Sequence, residues 1–163
     1  SRGLGDVYKR QPYAPPANGT WRVLAAPSAD RIAAVWAPHN ATDGAQYVGM
    51  SGGASPVWSG PDPAHRASYC FTVATPGTYR INTGVYGADS LSDSFYVTVN
   101  DLPAAGYTWD VLQNAAYASD YVSDRGGADP VEVVLTAGDH IVDVYGREPD
   151  TRLDTITFEE VVP

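Results

Sequence analysis

Between Arg147 and Asp154 the chain carries two arginines, one glutamate and two aspartates in eight positions, inside the run YGREPDTRLDTITFE (Tyr145 to Glu159). Charge at this density has three uses. It forms a ligand site, because a guanidinium is a planar fork of N–H donors that suits bidentate acceptors. It holds a hard cation, which takes about six to eight oxygens. Or it braces the loop through ion pairs. A second run, GADSLSD (Gly87 to Asp93), leaves its strand after a similar Tyr-Gly step and is expected at the same end of the domain. Arg147 or Arg152 then pairs with Asp93 or Glu148. For Arg152, pairing with Asp150 or Asp154 is the alternative to facing a ligand.

Nucleophilic catalysis finds little support. GMSGG (Gly49 to Gly53) matches the G-x-S-x-G elbow, which needs a strand before it and a helix after it. ASPVWSGPDP follows, with three prolines where the helix should run. A glycine-rich loop is therefore expected. His39, His65 and His140 lack metal-ligand spacing. His39 and His65 fall in Pro-rich loops, and His140 opens a strand as a surface or edge residue. A pair of glycosidase carboxylates would need to stand about 5 to 9.5 Å apart in one cleft. Many acidic residues instead sit in turn signals such as Asp43-Gly44 and Gly138-Asp139. Nothing demands catalysis, and no enzyme activity is expected.

The elements that must position these residues read as β-strands. ASYCFTV puts Tyr69, Phe71 and Val73 on one face, and YRINTGVYG does so for Tyr79, Ile81, Thr83 and Val85. SFYVTVN turns Phe95, Val97 and Val99 inward, VEVVL repeats the pattern from Val131 to Leu135, and LDTITFEEV alternates Ile156 and Phe158. With TWRVLAA, AQYVGM and HIVDVYG the spacing predicts at least eight short strands and no helix. The fold class is all-β, a two-sheet jelly-roll β-sandwich. At 163 residues the chain suits one domain with a proper core.

Composition narrows the partners. The formal net charge is -9, which disfavours nucleic acid, since phosphate neutralisation needs clustered basic groups. No run approaches the ~18 apolar residues of a membrane span, so no membrane partner is expected. Cys70 is the sole cysteine, which excludes an intramolecular disulfide. Residues 1–11 (SRGLGDVYKRQ) look like a cloning or adapter scar and 12–20 (PYAPPANGT) like a Pro-rich linker, leaving 21–163 as the domain. The chain lacks an initiator Met and looks like a piece of a longer polypeptide.

Several segments in order resemble one group of proteins. They are the PGTYR turn (Pro76 to Arg80), Asp93-Ser94-Phe95, Trp109 in YTWDV, Gly138-Asp139-His140, and Leu153-Asp154-Thr155-Ile156. Together, from about Leu24 to Phe158, they resemble the galactose-binding-like β-sandwich of carbohydrate-binding modules of families 6 and 35. The resemblance implies a non-catalytic module of a larger secreted protein, a polysaccharide-degrading enzyme, with a polysaccharide or oligosaccharide as partner. A spacer or protein-interaction domain of a bacterial surface protein is the alternative.

The resemblance also implies site residues. Trp109 matches an aromatic that stacks on sugar, and Arg152 falls where many relatives keep an asparagine before the last strand. An arginine facing the ligand there points to a uronic or sulfated sugar. A second aromatic is often found after a Val-Gly step. Here Met50 follows Val48-Gly49, and Trp58 is the substitute further along that loop. Tyr107, Arg147 and Asp93 complete the ligand set. YTWDV is either a strand with Tyr107 and Trp109 inward or an exposed loop, and Ala104-Ala105-Gly106 with Gln113-Asn114 favour the loop. Relatives place a structural calcium between two first-strand glutamates and a last-strand aspartate. Asp154 matches the aspartate, but the first strand reads Leu24-Ala25-Ala26-Pro27. That site is expected to be lost or rebuilt from other residues.

Overall fold

Period-two alternation becomes strands wherever one phase is apolar enough to bury. The computed structural model describes the backbone of residues 21–24, 31–32, 36–40 and 46–50, and residues 49, 50 and 53–162 with their side chains. Residues 1–20, which hold the expected scar and linker, lie outside the described residues. The strands are β1 (Trp21–Leu24), β2 (Arg31–Ile32), β3 (Trp36–Asn40), β4 (Gln46–Met50), β5 (Arg66–Val73), β6 (Gly77–Tyr86), β7 (Ser94–Val99), β8 (Leu102–Asp110), β9 (Ala118–Tyr121), β10 (Glu132–Leu135), β11 (Gly138–Gly146) and β12 (Arg152–Glu160). The only helix among the described residues is a single 3-10 turn, Pro63–His65. The strand following the glycine-rich loop is thus reached through prolines, and the elbow motif has no helix behind it; Ser51 itself lies outside the described residues.

Two antiparallel sheets form the sandwich. One runs β10-β6-β12-β4-β3, with β9 also on β6 and β1 also on β12; the other runs β2-β5-β11-β7-β8. The expected inward residues are inward: Tyr69, Phe71, Val73, Tyr79, Ile81, Val85, Phe95, Val97, Ile156 and Phe158 are all buried. Phe71 of one sheet meets Phe158 of the other at 4.3 Å between ring centres. Each such side chain contributes about 1.5–3 kcal/mol through removal from water. The β7–β8 hairpin is a two-residue turn with Asn100 and Asp101 both at positive φ (53° and 63°). That geometry matches strand twist, and Asn and Asp tolerate it best after glycine.

Three expectations need correction here. YTWDV is not a loop but the end of β8, which pairs with β7 through Phe95↔Trp109 and Val97↔Tyr107. Strand alternation therefore drives Trp109 into the core, fully buried and 5.7 Å from the Phe95 ring. His140 is not a surface residue. It is buried against Phe71, its Nδ1 accepts from Asn100 Nδ2 at 2.9 Å, and its Nε2 donates to the Thr136 carbonyl at 2.8 Å. His39 belongs to β3 rather than to a loop.

Candidate functional site

The charged run from Arg147 forms a brace, and the brace carries an aromatic. Asp93 and Ser94, where β7 begins, come against Glu148 and Thr151 of the β11–β12 loop. Arg147 Nη1 donates to Ser94 Oγ at 2.6 Å, and Ser94 Oγ donates to Glu148 Oε2 at 2.6 Å. The Asp93 amide reaches the same carboxylate at 3.2 Å, the Ser94 amide reaches Thr151 Oγ1 at 3.2 Å, and Arg147 and Glu148 pair at 3.6 Å. All five residues are buried. The expected pairing of Arg147 with Glu148 is what forms. Asp93 instead accepts from Gln113 Nε2. Burial, with Glu148 alongside, pushes the Asp93 carboxyl above the usual carboxylate range.

Trp58 stands on this brace. Its ring lies 4.5 Å from the Arg147 guanidinium carbon, with Tyr96 at 5.8 Å from the same carbon. The indole remains 57% exposed. Two backbone bonds strap the loop around Trp58 and the β4 end to the charged loop: Val57 N–H to the Arg147 carbonyl at 2.8 Å and Asp150 N–H to the Met50 carbonyl at 3.0 Å. Tyr96 lies on the outward phase of β7, between inward Phe95 and Val97, so the Trp58 stack sits over the outer side of the five-stranded sheet. Trp58 was legible only as an aromatic in a loop. Its support by Arg147 required knowing which loops meet.

Trp109 does not join it. Its indole Nε1 donates to Asp120 Oδ2 at 3.3 Å, and the same carboxylate accepts from the Leu112 and Tyr121 amides at 2.9 and 3.0 Å. Trp109 thereby fastens the segment after β8 instead of presenting a face to a sugar. Burial holds the Asp120 carboxyl above its usual range against those hydrogen bonds. Tyr107 is half-buried, packed against the core, and lines a separate cavity of about 210 Å³ with Val99, Leu102 and Val134.

Arg152 and Asp154 belong to a second place, the outer side of the seven-stranded sheet. Here β6 presents Asn82, Gly84 and Tyr86, the phase opposite to its buried residues. A register shift in β12 between Leu153 and Thr155 sets Asp154 and Thr155 together opposite Gly84. A Cβ on Gly84 would come within 2.7 Å of Thr155 Oγ1 and 3.5 Å of Asp154 Oδ2. The missing side chain leaves a groove of about 400 Å³, lined by Asn82, Gly84, Tyr117, Ser119, Asp154 and Thr157 among others. From that lining Tyr117 meets the Tyr86 ring at 5.8 Å, and the Arg152 guanidinium lies 4.7 Å from the same Tyr86 ring. Arg152 and Arg147 therefore serve different surfaces. Asn82, Gly84, Tyr86 and Ser119 were missed in the sequence, although a glycine inside a strand is a signal for close approach.

The groove does not by itself fit calcium. Asp154 is its one carboxylate, flanked by hydroxyls and an amide, whereas the ion takes about six to eight oxygens. Among the described residues no group of three or more His, Cys, Asp or Glu could hold a metal; Ala25, Ala26 and Pro27 lie outside them. Nor does a lone carboxylate supply the acid–base pair of glycoside hydrolysis.

No protein-family model matches the sequence, and no curated protein matches it. Solved structures do. The family 35 carbohydrate-binding module from Clostridium thermocellum superposes with a TM-score of 0.59 at 18% identity, covering 85% of this chain and 97% of that one. The C-terminal family 6 module of a marine laminarinase from Zobellia galactanivorans gives 0.61 at 13% identity, over 86% and 99%. A Podospora anserina β-(1,4)-mannanase with a family 35 module gives 0.64 at 18% identity, over 90% of this chain and 28% of the mannanase. Some of the modules that this chain resembles in structure are thus attached to glycoside hydrolases. The chain has the β-sandwich fold of family 35 and family 6 carbohydrate-binding modules.

Proposed function

We propose that the domain binds carbohydrate without chemistry and carries a larger secreted protein, a polysaccharide-degrading enzyme, to its substrate. The observation that carries this reading is Trp58, a large aromatic face left 57% exposed at a loop end above a buried ionic network. An indole stacks on the apolar face of a sugar ring only if it is exposed, and it loses least affinity to entropy if it is already held. A module of this kind gains its parent local concentration at the polymer.

A second surface is favoured by a separate observation. The Gly84 groove places hydroxyls, an amide and a carboxylate beside Tyr117, and the Tyr86 ring connects Tyr117 to Arg152. Polar groups converging in a cleft suit sugar hydroxyls, and Arg152 would favour a uronic or sulfated sugar there.

The test is binding of the full chain to neutral, uronic and sulfated polysaccharides, with and without calcium. Trp58→Ala is expected to weaken binding at least tenfold, the scale of a lost aromatic anchor worth about 2 kcal/mol, while the domain stays folded. Loss on Arg152→Ala, confined to acidic glycans, would move the site to the groove. Calcium is expected to make no difference. A folded chain that binds nothing across the panel would sink the glycan reading and favour a spacer or protein-interaction role.

A further inference from the structure

We infer that Arg147 is a positioning residue: it touches no ligand and holds the Trp58 indole in a fixed, outward-facing orientation. The claim deepens the glycan reading of Trp58 and rests on it for its effect on affinity. It does not rest on it for its effect on the indole.

Three observations converge on it. The Arg147 side chain is buried while the ring stacked on it is open to solvent, so the guanidinium lies under the indole rather than beside it. Its Nη1 is held by Ser94 Oγ, which is held in turn by Glu148, so the plane on which Trp58 rests is fixed from beneath. The Arg147 carbonyl accepts from the Val57 amide at 2.8 Å, which ties the backbone next to Trp58 to the backbone of its support. A planar cation suits this role because it stacks on an aromatic face and hydrogen-bonds at its edge at the same time. Lysine keeps the charge but not the plane. Arg147 thus fixes the orientation of a side chain that is more than half exposed.

The experiment uses the ligand-free full chain labelled with 5-fluorotryptophan. Its four tryptophans give separate ¹⁹F signals, and Trp58→Phe assigns one of them. Arg147→Met is expected to shift and broaden the Trp58 signal and raise its quenching by acrylamide, while the Trp109 signal stays in place. Arg147→Lys should restore it only in part. On whichever polysaccharide the parent chain binds, Arg147→Met should weaken binding roughly tenfold, within the range of a partly desolvated cation–π contact. Because Arg147→Met removes a buried charge partner, Ser94→Ala serves as the second variant. It frees Nη1 without touching the indole and should move the Trp58 signal in the same direction. An unchanged Trp58 signal in folded Ser94→Ala or Arg147→Met overturns the inference. If the parent chain binds no glycan, the proposed function falls, and the fluorine signals still decide the role of Arg147.

Discussion

Trp58 stands on charge buried beneath it, whereas the Gly84 groove is cut into a sheet face by what is missing. The first region depends on Arg147, Ser94 and Glu148, all buried and mutually bonded. The second depends on a glycine, a strand bulge and half-exposed polar side chains. Buried ionic parts are expensive to take away singly, because the partner left behind stays desolvated. Half-exposed polar parts are cheap to replace, because water takes over their hydrogen bonds. The two surfaces therefore differ in how tightly their chemistry is coupled to stability.

Glu148→Gln should produce the largest effect. It removes the carboxylate from a buried guanidinium and should cost about 3–5 kcal/mol, as for one half of a broken buried pair. Urea unfolding of the variant measures it. Arg152→Ala, the matching loss at the groove, should cost about 1 kcal/mol, the scale of a partly exposed cation–π contact. Equal losses at the two sites would erase the distinction. Gly84→Val comes next. Its Cβ would meet Thr155 Oγ1 at 2.7 Å, and forced overpacking costs about 1–3 kcal/mol. It should also close the groove to any ligand while leaving binding on Trp58 unchanged, which isothermal titration separates.

The same contrast explains what the sequence could disclose. Inward residues such as Phe71, Ile81 and Phe158 were legible because burial imposes a period of two, and the number and spacing of the short strands indicated the sandwich. Trp109 was misplaced for a physical reason. The small residues Ala104, Ala105 and Gly106 look like a loop, yet in β8 they face outward or accommodate close packing, as Gly106 does against Pro61 and Tyr96. Pairing with β7 overrode local composition. The brace was half legible. Charge density announced ion pairs, but not that Glu148 would take Arg147 while Asp93 took Gln113, since that depends on which loops meet. The groove was barely legible, because its floor is an absent side chain.

The pH dependence of stability should distinguish the regions further. The Asp93 carboxyl, in the brace on which Trp58 stands, is raised from its ordinary value of 3.8 chiefly by burial and further by Glu148 and Asp110, against the Gln113 hydrogen bond; Arg125 is a cation that interacts with it. A raised carboxyl binds its proton more tightly folded than unfolded. Its contribution is complete below pH 3.8 and is lost as pH rises through the folded value. Asp120 adds a loss of the same sign. Unfolding measured from pH 3 upward should therefore show a steeper decline in the parent chain than in Asp93→Asn, with Asp120→Asn removing a further part. Identical slopes in parent and variant would mean that Asp93 is no more strained folded than unfolded.

The smallest effect on stability should carry the most information about function. Ser119 is exposed at the groove edge, and its hydroxyl donates to Asn82 Oδ1 at 2.9 Å. Ser119→Ala should change stability by no more than about 0.5 kcal/mol, as surface substitutions do. The hydroxyl is nonetheless one of the polar groups a sugar would meet there. If the groove takes a glycan, the variant should bind more weakly by several-fold at unchanged stability, because a ligand that displaces water leaves its own hydroxyl without a partner. If Trp58 alone is the platform, neither quantity should move. A position that affects binding without affecting stability identifies a surface that meets a ligand, and Glu148, whose loss lowers both together, can never provide that separation.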